Sequence, residues 1–321
     1  MMKHSNIKIN FVCIAICIFF GTSVFGQSRE LIFRSGFEEG TTVTQIDRKD
    51  AELKGIDTLN TSKGNWEANL EGDPNNCEFK IYYQDGDESM RIAKIVPDPI
   101  NPENKVAHFK IDKPNVFNGK KGRIQANMYN CKEGFKNLTY SIRLFLPKDL
   151  DVLKSYPDAF TWFTLMEFWN DAPWEKPETG FRISVGLHKP NKGIDSLRFA
   201  IHGQVYNPET KKHGKVIWDE TQNNFAVPTG KWMTLKVNFV EGDEVHGIFQ
   251  LIAVVDGKEI EIFNIHNYTY NPENPNPDGL THHNPFKLYT SGEIINYMNS
   301  KGKSTHVYWD DYEVWDNSNK Q

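Results

Sequence analysis

The chain is short of cysteine, of long apolar runs and of excess positive charge. It has four cysteines in 321 residues, so a disulfide-dense small fold is excluded. Two of the four lie in an N-terminal apolar segment, and the other two, Cys77 and Cys131, could form one disulfide. A formal net charge of −5 without a dense basic run argues against nucleic acid as a partner. Beyond the N-terminus, no stretch is apolar over the roughly 20 residues that a membrane-spanning helix needs, so stable membrane insertion is not expected.

Residues 1–26 have the parts of a secretory signal peptide. Lysines precede an apolar run over residues 11–20, and small residues follow it, up to Gln27. The sequence therefore predicts a secreted or periplasmic protein with a mature chain of residues 27–321. Lipidation at Cys17 is the alternative, and it would leave the protein anchored at a membrane surface.

Many short runs rich in β-branched and aromatic residues follow the signal peptide. Residues 122–128, 181–188 and 197–206 are examples, and clusters of Asn, Asp, Gly, Pro and Lys separate such runs. This spacing predicts an all-β fold, an antiparallel β-sandwich, in one domain over residues 27–321. Asp256-Gly257 between two apolar runs predicts a hairpin. Helical periodicity is scarce, and residues 149–156 are predicted to form one short turn or helix.

Alternation places an unusual polar set on one face of three of these runs. The set consists of Arg123, Gln125, Asn127, Arg182, His188, Arg198, His202, Gln204 and Tyr206. An ordinary solvated face of a half-buried strand carries Lys, Glu and Thr, whereas Arg, His, Gln, Asn and Tyr hydrogen-bond to sugars and stack on them. The pattern predicts a carbohydrate-binding surface, with a merely solvated face as the alternative.

One carboxylate stands in a nearly continuous apolar run. Glu167 lies in the segment FTWFTLMEFWNDAPW, which also carries Trp169. Because burying a lone carboxylate is costly, Glu167 is either paired inside the protein or solvated in a cleft. Both are predicted to belong to the site, Glu167 as a catalytic candidate and Trp169 as a sugar-stacking ring, with core packing as the alternative.

A second polar segment is rich in Asn, Pro and Gly. It runs over residues 271–285 and carries His282 and His283. Segments of this composition are typical of loops at the rim of a binding cleft. Adjacent histidines point to opposite faces of a strand, so a shared metal ion is not expected.

The order of several motifs resembles that of the heparin-lyase-like and glucuronan-lyase-like polysaccharide lyases. The motifs are Gly122-Arg123-Ile124-Gln125, Gly230-Lys231-Trp232, Val255-Asp256-Gly257 and the segments 138–151, 163–173, 285–289 and 308–314. Together they cover most of residues 105–315. The resemblance implies a concanavalin-like β-jelly-roll and a secreted lyase that cleaves a uronate-containing polysaccharide by β-elimination.

Such a lyase needs a group that neutralises the substrate carboxylate, a base that removes the adjacent proton and an acid that protonates the leaving oxygen. With the resemblance as a guide, Arg123, Gln125 and Lys287 are predicted to neutralise the carboxylate. His202 is the predicted base and Tyr289 the predicted acid. Lys287 and Tyr289 come from the segment that resembles the late Phe-Lys-x-Gly-x-Tyr strand of the family.

The sequence departs from the family pattern in the segment that resembles its Gln-Trp-His. That segment reads Glu167-Phe168-Trp169 here, so no histidine occupies the base position of the family. Tyr289 follows Lys287 by two residues instead of four, and Gln125 replaces a glutamate. The catalytic residues of the family therefore do not transfer directly.

Two other functions remain open at the level of the sequence. A glycoside hydrolase of the same fold would need two carboxylates, for which Glu167 with Asp219 or Glu220 is the best pair. A glycan-binding protein without catalytic activity would use the same aromatic and polar side chains without turnover.

Calcium is the one expected cofactor. Glu38 lies near the start of the mature chain and Asp310-Asp311 near its end. If the first and last strands pair, these oxygen ligands meet and suit a structural Ca²⁺ ion. The expected partner is a polysaccharide or oligosaccharide, and the protein is expected to be a monomer.

Overall fold

The computed structural model describes residues 29–58, 66, 79–83, 89–115, 118–129, 134–172, 176–193, 195–210 and 212–318. The signal peptide, Cys77, Cys131 and the end of the Trp-rich segment lie outside the described residues, and what the sequence predicts for them stays a prediction. No helix within these ranges is long and apolar enough to cross a membrane.

Strands dominate the described part of the chain. In chain order they are β1 (Glu30–Ser35), β2 (Thr42–Gln45), β3 (Asp50–Lys54), β4 (Phe79–Tyr83), β5 (Arg91–Pro97), β6 (Lys105–Ile111), β7 (Lys121–Tyr129), β8 (Asn137–Phe145), β9 (Phe163–Asn170), β10 (Phe181–His188), β11 (Arg198–Asn207), β12 (Lys212–Thr221), β13 (Trp232–Val240), β14 (Ile248–Val255), β15 (Lys258–His266), β16 (Leu280–Asn284), β17 (Lys287–Ser291) and β18 (Thr305–Asp316).

The strands form two antiparallel sheets, which confirms the predicted all-β fold, an antiparallel β-sandwich. Sheet A has the order β15-β14-β13-β8-β18-β6-β5, with β1 paired to β18. Sheet B has the order β12-β11-β10-β9-β16-β7-β4-β3-β2, with β17 paired to both β7 and β9. The pairing of β1 with β18 is the one expected of the first and last strands.

Apolar side chains from both sheets form one core cluster. Ile183 and Val185 of β10 and Ile201 of β11 contribute from sheet B, and all three are buried. Ile142 of β8 and Val237 of β13 are buried against them from sheet A. Because side chains alternate along a strand, the neighbours of the sheet B residues in β10 and β11 point to the other side of that sheet.

The predicted hairpin connects β14 to β15. Val255 pairs with Lys258, so only two residues form the connection. Those residues, Asp256 and Gly257, have positive φ values of 50° and 75°, as a tight two-residue turn requires. The Asp-Gly signal in the sequence is therefore confirmed.

A break between β16 and β17 changes which residues face away from the core. Two residues separate the strands, and the second of them, the buried Phe286, joins the core cluster. Ala126 N–H donates to the carbonyl of Phe286 at 3.1 Å, so the chain stays bound to β7 across the break. Uninterrupted alternation from Asn284 would turn Lys287 toward the core. The break restores Lys287 to the outer face, where it pairs with Gln125.

The segment over residues 271–285 is only partly the loop that its composition indicates. Its last residues form β16, which lies inside sheet B between β7 and β9. His282 and His283 are both buried, and His283 packs on the core side with its ring parallel to that of Phe168 at 6.5 Å. The prediction of a rim loop is wrong for these two residues, because β7 and β9 pair with this segment as a strand despite its Asn-rich sequence.

Two short helices complete the described part. A 3-10 helix spans Lys148–Ser155, which agrees with the predicted turn. An α-helix, α1 (Gly292–Ser300), has no counterpart among the sequence predictions; it buries Ile294, Ile295 and Met298. The Ser291 hydroxyl accepts a hydrogen bond from Ile294 N–H at 3.3 Å and caps its N-terminus.

Candidate active site

A groove crosses the outer face of sheet B. It consists of two neighbouring clefts. Cleft 1, of about 370 Å³, is lined by Asp50, Lys80, Tyr82, Arg123, Gln125, Asn127, Glu167, Trp169, His282 and Asn284. Cleft 2, of about 350 Å³, is lined by Thr161, Trp162, Phe163, Thr164, Arg182, Ser184, Gly186, His188, Ala200, His202, Gln204 and Tyr289. Volumes of this size are those of ligand pockets in general.

Glu167 lies where the two clefts meet. The register explains this position, because β9 pairs Glu167 with Ser184 on one side and Asn284 on the other. Its carboxylate accepts hydrogen bonds from Lys287 Nζ and from Arg182 NH1, the latter at 3.1 Å. The side chains of Glu167 and Lys287 are 3% and 0% exposed, so the pair is removed from water.

Arg182 connects this ion pair to cleft 2. Besides its bond to Glu167, it donates to Gln204 Oε1 at 3.1 Å. Its guanidinium carbon lies 5.5 Å from the ring centre of Trp169. Three contacts of different kinds therefore fix the orientation of this guanidinium.

The cations around Glu167 decide its ionisation. Burial raises the pKa of a carboxyl group, but Lys287 and Arg182 together outweigh burial and lower the pKa of Glu167 to about 2. Burial is the largest influence on Lys287 and lowers its pKa to about 7, against the opposing effect of Glu167. Glu167 is therefore a carboxylate at neutral pH and has no proton to give as an acid.

Arg123 is held between two phenol rings at the junction of the clefts. Its guanidinium carbon lies 5.0 Å from the ring centre of Tyr82 and 5.2 Å from that of Tyr289. Its Nε has no hydrogen-bond partner within the described ranges, and no carboxylate there forms an ion pair with it. Arg123, Arg182 and Lys287 thus surround one carboxylate, so this part of the groove carries excess positive charge.

Amide side chains line the floor of cleft 1. Asn284 Nδ2 donates to the carbonyl of Ala126 at 3.0 Å and to Asn127 Oδ1 at 2.9 Å. Gln125 Nε2 donates to the same Asn127 oxygen at 2.6 Å. Gln125, Asn127 and Asn284 are all at least nine-tenths buried, so the network is largely shielded from water.

Small residues form the floor of cleft 2. Thr164, Gly186 and Ala200 lie side by side on β9, β10 and β11, in line with Tyr289 on β17. A Cβ at Gly186 would lie 2.4 Å from the carbonyl oxygen of Phe163, because the β9–β10 register shifts there. Short side chains in this row leave the space above the sheet open.

Histidines and a tyrosine stand at the walls of cleft 2. Burial lowers the pKa of His188 and of His202 to about 4, and Arg182 adds to this for His202. Both imidazoles are therefore neutral at pH 7. Burial raises the pKa of Tyr289, and the Tyr289 ring packs edge-on against Trp162 at 4.9 Å.

The structure brings most of the predicted site residues together in the groove. Those residues are Arg123, Gln125, Asn127, Glu167, Trp169, Arg182, His188, His202, Gln204 and Tyr289. Lys287 lines neither cleft: its side chain is 0% exposed and pairs with Glu167 beneath the groove, so it is not placed to contact a substrate carboxylate as the sequence predicts. Arg198 and Tyr206 belong to the same strand, β11, but line neither cleft. Arg198 is opposite His188 at one end of β11, and Tyr206 is near the other end, because the alternating face extends beyond the groove.

Several residues that line the groove do not follow from the sequence pattern. Asp50, Lys80 and Tyr82 lie on β3 and β4, which the sequence did not predict, and Lys80 Nζ is 3.4 Å from Asp50 Oδ2. His282 and Asn284 lie in the segment whose composition indicates a loop. A signal exists for Lys80 and Tyr82 in their alternation with buried neighbours in β4, but a five-residue run makes it weak.

The predicted calcium ligands lie close to one another at the β1–β18 end of the molecule. Asp310 and Asp311 both pair with Arg143, at 2.9 and 3.2 Å. Burial and Asp311 raise the pKa of Asp310 to about 7, and burial also raises the pKa of Glu38. Within the described ranges, no group of three or more His, Cys, Asp or Glu side chains could hold a metal ion. The calcium site stays a prediction, and a rise in melting temperature with added Ca²⁺ would test it.

No family model matches the chain, and no curated protein matches it. Among solved structures, the chain is similar to the endo-β-1,4-glucuronan lyase of Trichoderma reesei, with 14% identity, a TM-score of 0.45, and coverage of 73% of this chain and 89% of the lyase. It is similar to the PL-14 alginate lyase of Aplysia kurodai, with 9% identity, a TM-score of 0.39, and coverage of 73% and 89%. It is also similar to domain 4 of AbnA, an arabinanase of Geobacillus stearothermophilus solved with arabinotriose, with 12% identity, a TM-score of 0.39, and coverage of 90% and 93%.

These similarities include the kind of lyase that the sequence resembles. Identities of 9% to 14% assign no activity to this chain. One fold also hosts many chemistries. The function therefore has to follow from the residues of the groove.

Proposed function

We propose that this protein is a polysaccharide lyase that cleaves a uronate-containing polysaccharide by β-elimination. The observation that carries the proposal is the guanidinium of Arg123, which lies between Tyr82 and Tyr289 in the groove without a carboxylate partner among the described residues. Arg123 is one of three cations around the single carboxylate of Glu167, and a half-buried cation in excess of the local negative charge attracts a further anion. A uronate carboxylate is such an anion, and arginine binds carboxylates through two parallel hydrogen bonds.

The groups that β-elimination requires are within the same groove. Arg123 neutralises the carboxylate, which makes the adjacent C–H more acidic and stabilises the charge that develops there. His202 is neutral at pH 7, since burial lowers its pKa to about 4, so its lone pair can accept the proton. Tyr289 keeps its phenolic proton, since burial raises its pKa, and gives it to the leaving oxygen. Both residues line cleft 2.

The hydrolase alternative is less well supported. Of the carboxylates predicted for it, only Glu167 lines the groove; Asp219 pairs with His202 in the register of β11 and β12 but lines neither cleft. Glu220, its neighbour in β12, points to the opposite face.

The decisive experiment is incubation of the protein with polyglucuronate, alginate, polygalacturonate and neutral glucans. A lyase produces new ultraviolet absorbance from a C=C bond and products without added water in the mass spectrum. A hydrolase adds water and no absorbance. A glycan-binding protein retains the polymer and releases no product, and either of these two results would overturn the proposal.

Variants then test the assigned roles. Tyr289→Phe and His202→Ala are each expected to lower kcat about 100-fold or more, in line with the usual contribution of general acid–base catalysis. Tyr206→Phe is the matched control, because Tyr206 lies on β11 outside both clefts, and it should retain the wild-type rate. Undiminished turnover in both Tyr289→Phe and His202→Ala would remove these assignments.

A further inference from the structure

The orientation of the Gln125 amide in cleft 1 follows from its neighbours. Asn284 donates through Nδ2 to a backbone carbonyl, that of Ala126, and a carbonyl can only accept. The same Nδ2 faces Asn127 Oδ1, so this atom of Asn127 must be the oxygen. Gln125 approaches that oxygen at 2.6 Å with Nε2, and only its NH₂ group can donate there. These hydrogen bonds therefore fix the orientation of the Gln125 amide: its Nε2 bonds to Asn127, and its Oε1 takes no part in the network.

That oxygen lacks a partner. Gln125 Oε1 is buried and has no hydrogen bond within the described part of the chain. The residue as a whole is 7% exposed and lines cleft 1. Buried acceptors without a donor destabilise a folded protein and are rare. Their usual explanation is a ligand, an ordered water molecule or an ion that satisfies them.

We infer that Gln125 is a specificity-determining residue that accepts a hydrogen bond from a sugar hydroxyl of the substrate. The inference rests on the proposed polyuronate substrate and deepens it. Arg123, two residues away on the same face of β7, binds the carboxylate of a uronate. Gln125 accepts a hydrogen bond from a hydroxyl of the same sugar or of the neighbouring sugar. A fixed acceptor oxygen repels a carboxylate, so Gln125 does not share the neutralising role with Arg123.

Substrate choice follows from this arrangement. A free hydroxyl satisfies Gln125 Oε1, whereas an O-acetyl group offers no donor and leaves the oxygen buried without a partner. Sites built to hydrogen-bond a hydroxyl reject analogues that lack it far more strongly than apolar pockets do. The protein is therefore expected to prefer polyuronates with unsubstituted hydroxyls.

The test compares polyglucuronate and alginate, each native and lightly O-acetylated, as substrates of the wild type and of Gln125→Met. Wild type should favour the native polymer in kcat/KM by about tenfold, the scale of one lost hydrogen bond. Gln125→Met, which keeps the length of the side chain, should lose about tenfold on the native polymer and little on the acetylated one, so the preference disappears. Gln125→Glu keeps an acceptor oxygen and should retain the preference while its KM rises.

The control is Gln250→Met. Gln250 lies between the buried Phe249 and Leu251 of β14, so its side chain is on the outer face of sheet A, whereas the groove is on sheet B; its replacement should leave the preference unchanged. Equal wild-type rates on native and acetylated polymers, or a preference that persists in Gln125→Met, would overturn the inference while the lyase proposal stands. Failure of wild type to bind or cleave any polyuronate would overturn both.

Discussion

The polar faces of the two sheets are built by the same alternation and behave differently. On sheet A, Lys236 of β13 pairs with Glu259 of β15 at 2.6 Å, and the two side chains are 42% and 61% exposed. On sheet B, Lys287 pairs with Glu167, and neither side chain is more than 3% exposed. Lys236 forms a direct ion pair with a carboxylate, whereas Arg123 of sheet B forms none with the carboxylates of the described residues and its Nε has no hydrogen-bond partner there.

The difference shows that alternation of polar and apolar residues identifies a polar face but does not tell whether that face is functional. Water screens the charges of the sheet A face, so that face needs no further explanation. In the groove of sheet B, burial raises the free-energy cost of each charge and of each polar group without a partner. A functional surface is recognised here by polar groups that are buried and still not fully satisfied.

Replacing Arg123 should have the largest effect of the variants that test this difference between the two sheets. Arg123→Ala is expected to lower kcat/KM on a polyuronate by about 1,000-fold, because the developing charge loses its cation. Arg198→Ala, on β11 outside both clefts, is the control and should retain the kcat/KM of the wild type. Steady-state rates of product absorbance give the measurement, and similar losses in the two variants would contradict a special role for Arg123.

Removing the carboxylate from each kind of ion pair comes next. Glu167→Gln leaves Lys287 and Arg182 buried without a counter-charge and should lower the free energy of unfolding by about 3 kcal/mol. Glu259→Gln removes the exposed partner of Lys236 and should cost less than about 1 kcal/mol. Urea denaturation measures both, and equal losses would show that burial does not distinguish the two pairs.

The floor of cleft 2 offers a smaller effect. Gly186→Ala places a Cβ against the backbone of Phe163 and should cost about 2 kcal/mol, since backbone cannot yield as a flexible side chain does. Gly193→Ala is the control, because nothing lies within 4 Å of the added Cβ. Thermal unfolding compares them, and a Gly186→Ala variant as stable as Gly193→Ala would mean that the β9–β10 register adapts.

The pH dependence of stability gives the smallest effect. The pKa of His202 is lowered from 6.5 to about 4 in the folded protein, so the unfolded chain binds more protons between these values. Stability should therefore fall as the pH drops from 6.5 to 4. His202→Asn should reduce that slope by up to about 1 kcal/mol per pH unit, as urea denaturation at several pH values would show.

A control separates this slope from other acid effects. His246→Asn changes a histidine on an exposed loop, with a side chain 75% exposed, and should leave the slope unaltered. The stabilisation from Glu167 is present above pH 4.5 and is lost as the pH falls toward its folded pKa of about 2, below the range of His202. An unchanged slope in His202→Asn would contradict the assignment.

Some of the site could be predicted because its residues alternate within long strands. Arg182, His202 and Gln204 lie in β10 and β11, where the apolar partners are regular enough to assign the faces. Glu167 could not be assigned to a face from the sequence, because both alternate sets of residues around it are apolar; in the structure all eight residues of β9 are buried. Lys80 and Tyr82 were missed because β4 is short and is preceded by a polar sequence.

The sequence by itself determined the sandwich, because the period of two in many short apolar runs allows few other solutions. It also determined that Arg123, Arg182 and His202 belong to polar faces of strands. Only the tertiary structure decided that these faces form one groove, since strand order depends on contacts between residues far apart in the chain. It also decided on which face of β17 Lys287 and Tyr289 lie, because the two residues before Lys287 interrupt the alternation. That interruption is favourable only because the core accommodates the side chain of Phe286.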